Sequence, residues 1–297
     1  MNKIFIIGSI NMDLVIKTPY MPVAGETMHG NGFITNPGGK GANQAVAVSK
    51  LGGNAFMVGA VGNEFGVELK STLNRYGVNT NYVVTQNSVS SGIAVIIVEN
   101  GENRIILDSG ANAKVDCDLI DKALRVAEEG DFLICQLEIP ESIVEYALFI
   151  AKEKGMVTIL NPAPAKNVSD KTLKNCDYLI VNQTETEFFT DIYPNNESNS
   201  LLAAERLKDL GINNVIITLG AKGACAVVNG KYIKFDGKKV NAVDTTAAGD
   251  TFVGAFVTKL AKGNNLESAM EFAINASALT VTKEGAQQSI PYLSEIK

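Results

Sequence analysis

The chain has 297 residues, a formal net charge of -6, 46% hydrophobic and 20% charged residues. These values exclude a disordered chain and favour one large cored unit with a small appendage, and the lack of a basic block argues against a broad nucleic-acid surface and for a small-molecule partner. Four cysteines at 117, 135, 176 and 225 form no CxxC pair, so reduced thiols in a cytoplasmic protein are expected rather than zinc or disulfides, and no apolar run reaches signal-peptide or membrane-spanning length.

Short apolar runs at Ile4 to Gly8, Phe56 to Val61, Phe132 to Leu137, Val157 to Leu160, Tyr178 to Val181 and Val215 to Leu219 predict strands covered on both faces. Helical patterns at Asn43 to Leu51, Leu69 to Tyr76, Ile143 to Lys154 and Leu201 to Leu210 each run into a glycine, as helix ends often do. The alternation predicts an α/β, three-layer fold: a mostly parallel central sheet flanked by helices. Asp13 to Thr18, Gly92 to Val98 and Arg104 to Leu107 alternate instead, with a turn at Asn100-Gly101, and predict a small β-sheet lid inserted at about 12–36 and 91–109 of a single domain over 1–297. Its apolar face needs a cover, either ligand and core or the same lid of a second subunit. Tyr193 to Ser200, rich in Asn and Ser, reads as a surface loop.

One histidine, His29, leaves no pair of imidazoles for a metal and reads as a surface residue of the lid. Neither GxxxxGK[ST] nor a GxGxxG after the first strand occurs, so the usual phosphate-loop and dinucleotide fingerprints are missing and a dehydrogenase is remote. The informative stretch is VDTTAAGDTFVGAF, Val243 to Phe256. Small residues there lead into a helix, so the backbone N–H groups of Ala247, Ala248 and Gly249 form a candidate anion hole at its N-terminus. Asp250 sits in the first turn, one residue beyond that cradle. An aspartate there commonly caps a helix, but a cap needs no string of small residues before it. The combination points to a base beside an anion hole, the minimum for phosphoryl transfer.

PGGKGANQA, Pro37 to Ala45, puts glycines and Lys40 before a helix, either to offer donors to a polyhydroxylated ligand or as a plain helix start. Asn11 and Asp13 follow the first buried strand, where open α/β sheets bind ligands, as a clamp for two sugar hydroxyls or as an Asx turn. Glu138 follows another buried strand, as a hydroxyl acceptor or an exposed loop acid.

Seven blocks occur in order: GSINMD, PGGKGANQA, NPAPA at 161–165, NQTE at 182–185, TLGAKG at 218–223, VDTTAAGD and KEGAQQSIP. Through them the chain resembles the ribokinase branch of the PfkB-type carbohydrate kinases over essentially its whole length. The resemblance implies ATP-dependent phosphorylation of D-ribose at O5, with kinases for deoxyribose, nucleosides or hexoses, or a non-catalytic sugar binder on the same scaffold, as alternatives. It implies Asp250 as general base. Asn11, Asp13, Gly39, Lys40, Asn43, Glu138 and Asp250 would bind sugar. Asn182, Glu185, Thr218, Leu219, Gly220, Ala221, Lys222, Gly223, Gly249 and Asn275 would line the ATP site, with Glu185 helping to place Mg2+. A monovalent cation, K+ in this family, would sit among Asp244, Thr246, Thr280, Lys283, Gly285 and Ser289, several through backbone oxygens. A homodimer through the lid is expected from the lid's uncovered apolar face rather than from the resemblance. Two departures bear on this. FAIN, Phe272 to Asn275, stands where relatives often carry FAN, and moving the polar residue one step turns it by roughly 100° about the helix. Ala247 stands where relatives outside this branch often have Gly, which permits close phosphate approach if its φ is negative.

Overall fold

The structure, a computed structural model, describes residues 2–100, 102–228 and 230–296. The strands are β1 (Lys3–Ile7), β2 (Asn11–Thr18), β3 (Asn31–Gly38), β4 (Asn54–Gly62), β5 (Asn79–Gln86), β6 (Gly92–Glu99), β7 (Glu102–Asp108), β8 (Phe132–Cys135), β9 (Val157–Leu160), β10 (Tyr178–Asn182), β11 (Asn214–Thr218), β12 (Gly223–Val228) and β13 (Lys231–Asp236). The helices are α1 (Lys40–Lys50), α2 (Gly66–Arg75), α3 (Cys117–Leu124), α4 (Glu141–Glu153), α5 (Asp170–Lys174), α6 (Gln183–Thr190), α7 (Glu197–Asp209), α8 (Ala248–Ala261) and α9 (Leu266–Thr280).

Among the described residues the large sheet has nine strands in the order β13-β12-β11-β10-β9-β8-β1-β4-β5. From β11 to β5 every pairing is parallel, while β12 and β13 run antiparallel at one edge. Alternate side chains of each strand enter opposite halves of the core. Ile4 and Ile6 of β1 join the half under α1, α2, α8 and α9, whereas Phe5 and Ile7 join the half under α3, α4, α5 and α7. Burial on both faces explains the unbroken apolar runs. The chain goes from β1 to β4 on one side and later to β8 on the other, so a crevice opens at the carboxyl ends of β1 and β8, where ligands of open α/β sheets bind.

Strands β3, β2, β6 and β7 form a separate four-stranded sheet that rises from that crevice. Pairing puts Leu14, Val95 and Ile106 on one face and Val15, Ile34, Ile96 and Ile105 on the other. Apolar side chains are exposed on both faces, including Phe33, Ile34, Val95, Ile105 and Ile106. His29 lies exposed in the β2–β3 connection. Asn100 has a φ of 50°, as a tight hairpin requires, and its expected turn partner Gly101 lies outside the described residues. One expectation needs correction: the stretch 193–200 is a loop only to Asn196. Asn196 caps α7 by accepting from the Asn199 N–H, so the polar residues that read as loop form the helix's first turn.

Candidate active site

Backbone geometry at the end of β1 decides which side chains converge. Gly39 holds a φ of 90°, and a Cβ there would lie 2.7 Å from Asn11 N, so only glycine lets α1 start against the β1–β2 corner. That start projects Lys40, Asn43 and Gln44 toward the crevice from one helical turn. Asn43 donates its amide to Asp250 Oδ2 at 3.0 Å, and Gln44 donates to Asp250 Oδ1 at 3.0 Å. Asp250 is thereby gripped on both oxygens from residues more than two hundred positions away. Beside it, Glu138 Oε2 accepts from the Ser9 hydroxyl at 2.5 Å, the Lys40 N–H at 3.3 Å and the Asn11 amide at 3.4 Å. Asn11, Asp13, Asn43 and Asp250 are all buried.

Crowding these carboxylates changes their acidity. Burial, followed by the charges of Glu138 and Asp250, pushes the Asp13 carboxyl up to about 7, with Lys40 opposing. Burial also raises Asp250, against the opposing pull of Lys40, Asn43 and Gln44. For Lys40 burial works against the ammonium, but Asp250, Glu138, Glu185 and Asp13 more than offset it and hold its pKa above the ordinary value. One cation thus stands among four acids.

Two connected hollows extend from this cluster. A crevice of about 230 Å³ is lined by Lys40, Asn161, Asn182, Glu185, Thr218, Ala247, Gly249 and Asp250 among others. It shares Thr218, Thr245 and Gly249 with a larger cavity of about 450 Å³ whose wall includes Gly220, Ala221, Gly223, Ala248, Phe252 and Ile274. Ser277, Ala278 and Val281 continue that wall from α9 and its end, together with Lys238, Lys239 and Val240 after β13. This is the shape of a flat, largely apolar pocket leading into a polar throat.

Several expected residues land elsewhere. Asn275 is not part of the cavity wall: Ile274 faces it, along with the residues three, four and seven positions later, so the neighbouring side chain points away. Leu219 and Lys222 turn to a different hollow, with Gln183, Tyr232 and Lys234, on the far side of the short Gly220–Lys222 helical turn. Ala247 has a φ of 60° rather than a negative value, and it is the N-cap of α8. Its Cβ occupies a left-handed position that glycine fills at less cost. The Ala248 N–H already donates to Thr245 O at 3.2 Å. Among the described residues the N–H groups of Ala247 and Gly249 have no such backbone partner, which leaves them as the open donors of the cradle. Gln44, Gln136, Asn161 and Asn112 reach the site without having been singled out; for the first three a signal was present, since Gln44 adjoins Asn43, Gln136 stands two residues before Glu138 and Asn161 opens the NPAPA block, whereas nothing in the sequence marked Asn112.

Among the described residues no group of three or more His, Cys, Asp or Glu is arranged to hold a metal. Glu185 is the acid besides Asp250 in the throat wall, buried and raised by that burial, and it forms a capping box with Asn182. A single carboxylate suits Mg2+, which keeps water and phosphate oxygens as most of its shell. On the other side of the anion-hole loop, Asp244 accepts from Thr246 N at 2.9 Å, the Thr246 hydroxyl at 2.6 Å and Gly285 N at 2.9 Å. Burial acts to raise its pKa, but these hydrogen bonds more than offset it and hold the carboxyl below its ordinary value. The Thr280 and Ser289 hydroxyls donate to Ala276 O and Ala286 O, which leaves lone pairs on their oxygens as well as their backbone carbonyls for a cation, whereas the Lys283 ammonium pairs with Glu295 and leaves only a backbone oxygen. A set of carbonyl and hydroxyl oxygens beside one anionic side chain fits a large, weakly hydrated monovalent ion.

The sequence matches the pfkB family carbohydrate kinase profile over residues 1–293. The chain belongs to that family, and is an ATP-dependent carbohydrate kinase. It is 44% identical to the ribokinase of Schizosaccharomyces pombe, covering 100% of this chain and 97% of that one. It is 36% identical to the deoxyribokinase of Salmonella typhi over 98% of this chain and 96% of that one. The structure of Arabidopsis thaliana ribokinase complexed with ribose and ATP superimposes with a TM-score of 0.92 at 30% identity, covering 99% of this chain and 97% of that one.

Proposed function

We propose that the protein acts as a ribokinase, transferring the terminal phosphoryl group of ATP to O5 of D-ribose with Asp250 as general base. The observation that carries the assignment is the position of the Asp250 carboxylate, between a cluster of hydroxyl-binding side chains and the open N–H groups that begin α8. Asn11, Asp13, Gly39, Lys40, Asn43 and Glu138 hold the sugar beneath the lid. Asn43 Oδ1 is buried without a partner among the described residues, a ready acceptor for a sugar hydroxyl. ATP lies in the larger cavity, its adenosine against Ile274 and the Gly220–Gly223 turn and its phosphates in the throat beside Asn182 and Lys40.

Asp250 accepts the proton as the hydroxyl attacks, and the Ala247 and Gly249 N–H groups receive the charge that develops on the transferring group. Mg2+, when bound with ATP, supplies positive charge to the phosphates, and Glu185 would hold it directly or through water. A monovalent cation, K+ as the family resemblance implies, would sit by Asp244 among oxygens of Thr246, Thr280, Lys283, Gly285 and Ser289, several of them backbone carbonyls. The protein works in the cytoplasm as a homodimer joined through the lid, whose doubly apolar sheet is suited to a partner.

The test is Asp250→Asn together with a panel of D-ribose, 2-deoxy-D-ribose and nucleosides in an ADP-release assay. Ribose should bind the variant near-normally while turnover falls by about 10²-fold or more. Wild-type turnover in the variant removes the base, and a higher kcat/KM for 2-deoxyribose than for ribose transfers the assignment to the deoxy sugar.

A further inference from the structure

The grip on Asp250 continues behind it in a chain of side-chain amides. Gln44 Nε2 donates to Asp250 Oδ1 at 3.0 Å and to Asn161 Oδ1 at 3.1 Å, which spends both its hydrogens. Gln44 Oε1 accepts from Gln136 Nε2 at 2.6 Å. Asn161 in turn donates to Ile180 O at 2.9 Å, a backbone carbonyl that can only accept. Each amide's orientation is therefore fixed by the next, beginning at a strand carbonyl. Turning Gln44 over would set its oxygen against those of Asp250 and Asn161 and its NH2 against that of Gln136, losing three hydrogen bonds together. Gln44 and Gln136 are wholly buried, out of reach of bulk solvent. Gly8 keeps the space open: a Cβ there would lie 1.9 Å from Gln136 Oε1.

A helix-capping aspartate has no use for this apparatus. The N-cap of α8 is Ala247, and the Asp250 carboxylate turns away from its own helix to meet α1. We infer that Gln44, oriented by Gln136 and Asn161, is a positioning residue that fixes the Asp250 carboxylate and keeps it ionised and aimed at the sugar hydroxyl. This rests on Asp250 being the base. The work required is considerable, because Asp250 is buried and faced by Glu138, by Asp13 from β2 and by Glu185 from α6, with Lys40 the one opposing charge among them. A donor amide stabilises the carboxylate without adding a proton that titrates.

The experiment compares wild type, Gln44→Met and Gln136→Met, with Asp250→Asn as the reference for the base itself. Methionine keeps the volume and removes the polar atoms. Gln136→Met also deletes an oxygen that is buried without a partner, so it should fold even if Gln44→Met does not. Measured are kcat against pH, KM for ribose, and ribose affinity by calorimetry. Gln44→Met should lower kcat at neutral pH by about tenfold or more and move the acid limb of the kcat profile upward by about one pH unit, with ribose affinity within about threefold. Gln136→Met should shift the same limb in the same direction by less. An unmoved limb in both variants overturns the role of the amide chain, as does a loss confined to ribose affinity. An active Asp250→Asn sinks the assignment of the base, and is read separately from either result.

Discussion

Asn112 donates its side-chain amide to Asn11 Oδ1 at 2.7 Å, and its own oxygen accepts the Ile10 N–H at 2.9 Å. Asn112 lies in the short helical turn Gly110–Lys114 that follows the last lid strand, while Asn11 opens the first. The bond therefore sets which end of the Asn11 amide faces the crevice: with its oxygen engaged, Asn11 presents N–H toward Glu138 and the proposed sugar site. Replacing Asn112 by Ala should raise the KM for sugar by about tenfold with a smaller change in kcat. It should also cost about 1–3 kcal/mol of stability, through the buried groups left unpaired. Steady-state kinetics and urea unfolding measure both.

Asp13 gives a pH dependence whose sign can be worked out. Its folded pKa of about 7 exceeds the ordinary 3.8, so between these values the native state holds a proton that the unfolded chain has released. Stability from this group therefore falls as pH rises through that window, and above pH 7 the whole cost is present, up to about 4 kcal/mol. Asp13→Asn should melt above wild type at pH 8, and the gap should close toward pH 4. The same variant should lose sugar affinity at pH 8, where the ionised acceptor matters. A melting difference independent of pH would refute the assignment.

At Ala247 the left-handed backbone costs an L-residue about 1 kcal/mol relative to glycine, partly offset by glycine's greater freedom when unfolded. Ala247→Gly should leave stability unchanged or raise it by up to about 1 kcal/mol, and should preserve turnover. Ala247→Val should destabilise clearly, since a branched side chain tolerates that backbone worse. Urea midpoints of the three proteins decide the matter.

The lid's apolar side chains bear on assembly. Phe33 and Ile105 are 62% and 55% exposed. If the lid sheet joins two subunits, Ile105→Asp should convert a dimer to a monomer in sedimentation velocity without unfolding the main sheet. A dimer that survives both Ile105→Asp and Phe33→Asp would move the interface elsewhere.

The main sheet was legible because strands buried on both faces read as unbroken apolar runs, and Val157 to Leu160 is found at those limits. Strands β3, β5, β12 and β13 were not, since their residues are only partly covered or carry small side chains such as Ala224 and Ala226. In the site, Asn43, Glu138 and Asp250 stood out because each occupies a strand end or helix start. Gln44 and Asn161 did not: an amide's role depends on which atom faces which neighbour, and that is fixed by pairings such as Gln44 with Asn161, separated by 117 positions. The Asn275 misplacement has the opposite cause, a motif one residue longer than usual on a helix where each step changes the facing direction.

Asn43 and Gln44 belong to the same turn of α1 as Lys40, and that helix packs against α8, which bears Asp250. The two amides that grip Asp250 and the carboxylate itself are thus mounted on one packed helix pair, while the proposed sugar clamp of Asn11 and Asp13 lies on the first strand of the lid sheet. Rocking of the lid would therefore carry one side of the proposed sugar clamp with it but leave the orientation of the carboxylate untouched, so opening for exchange does not disturb the group that takes the proton.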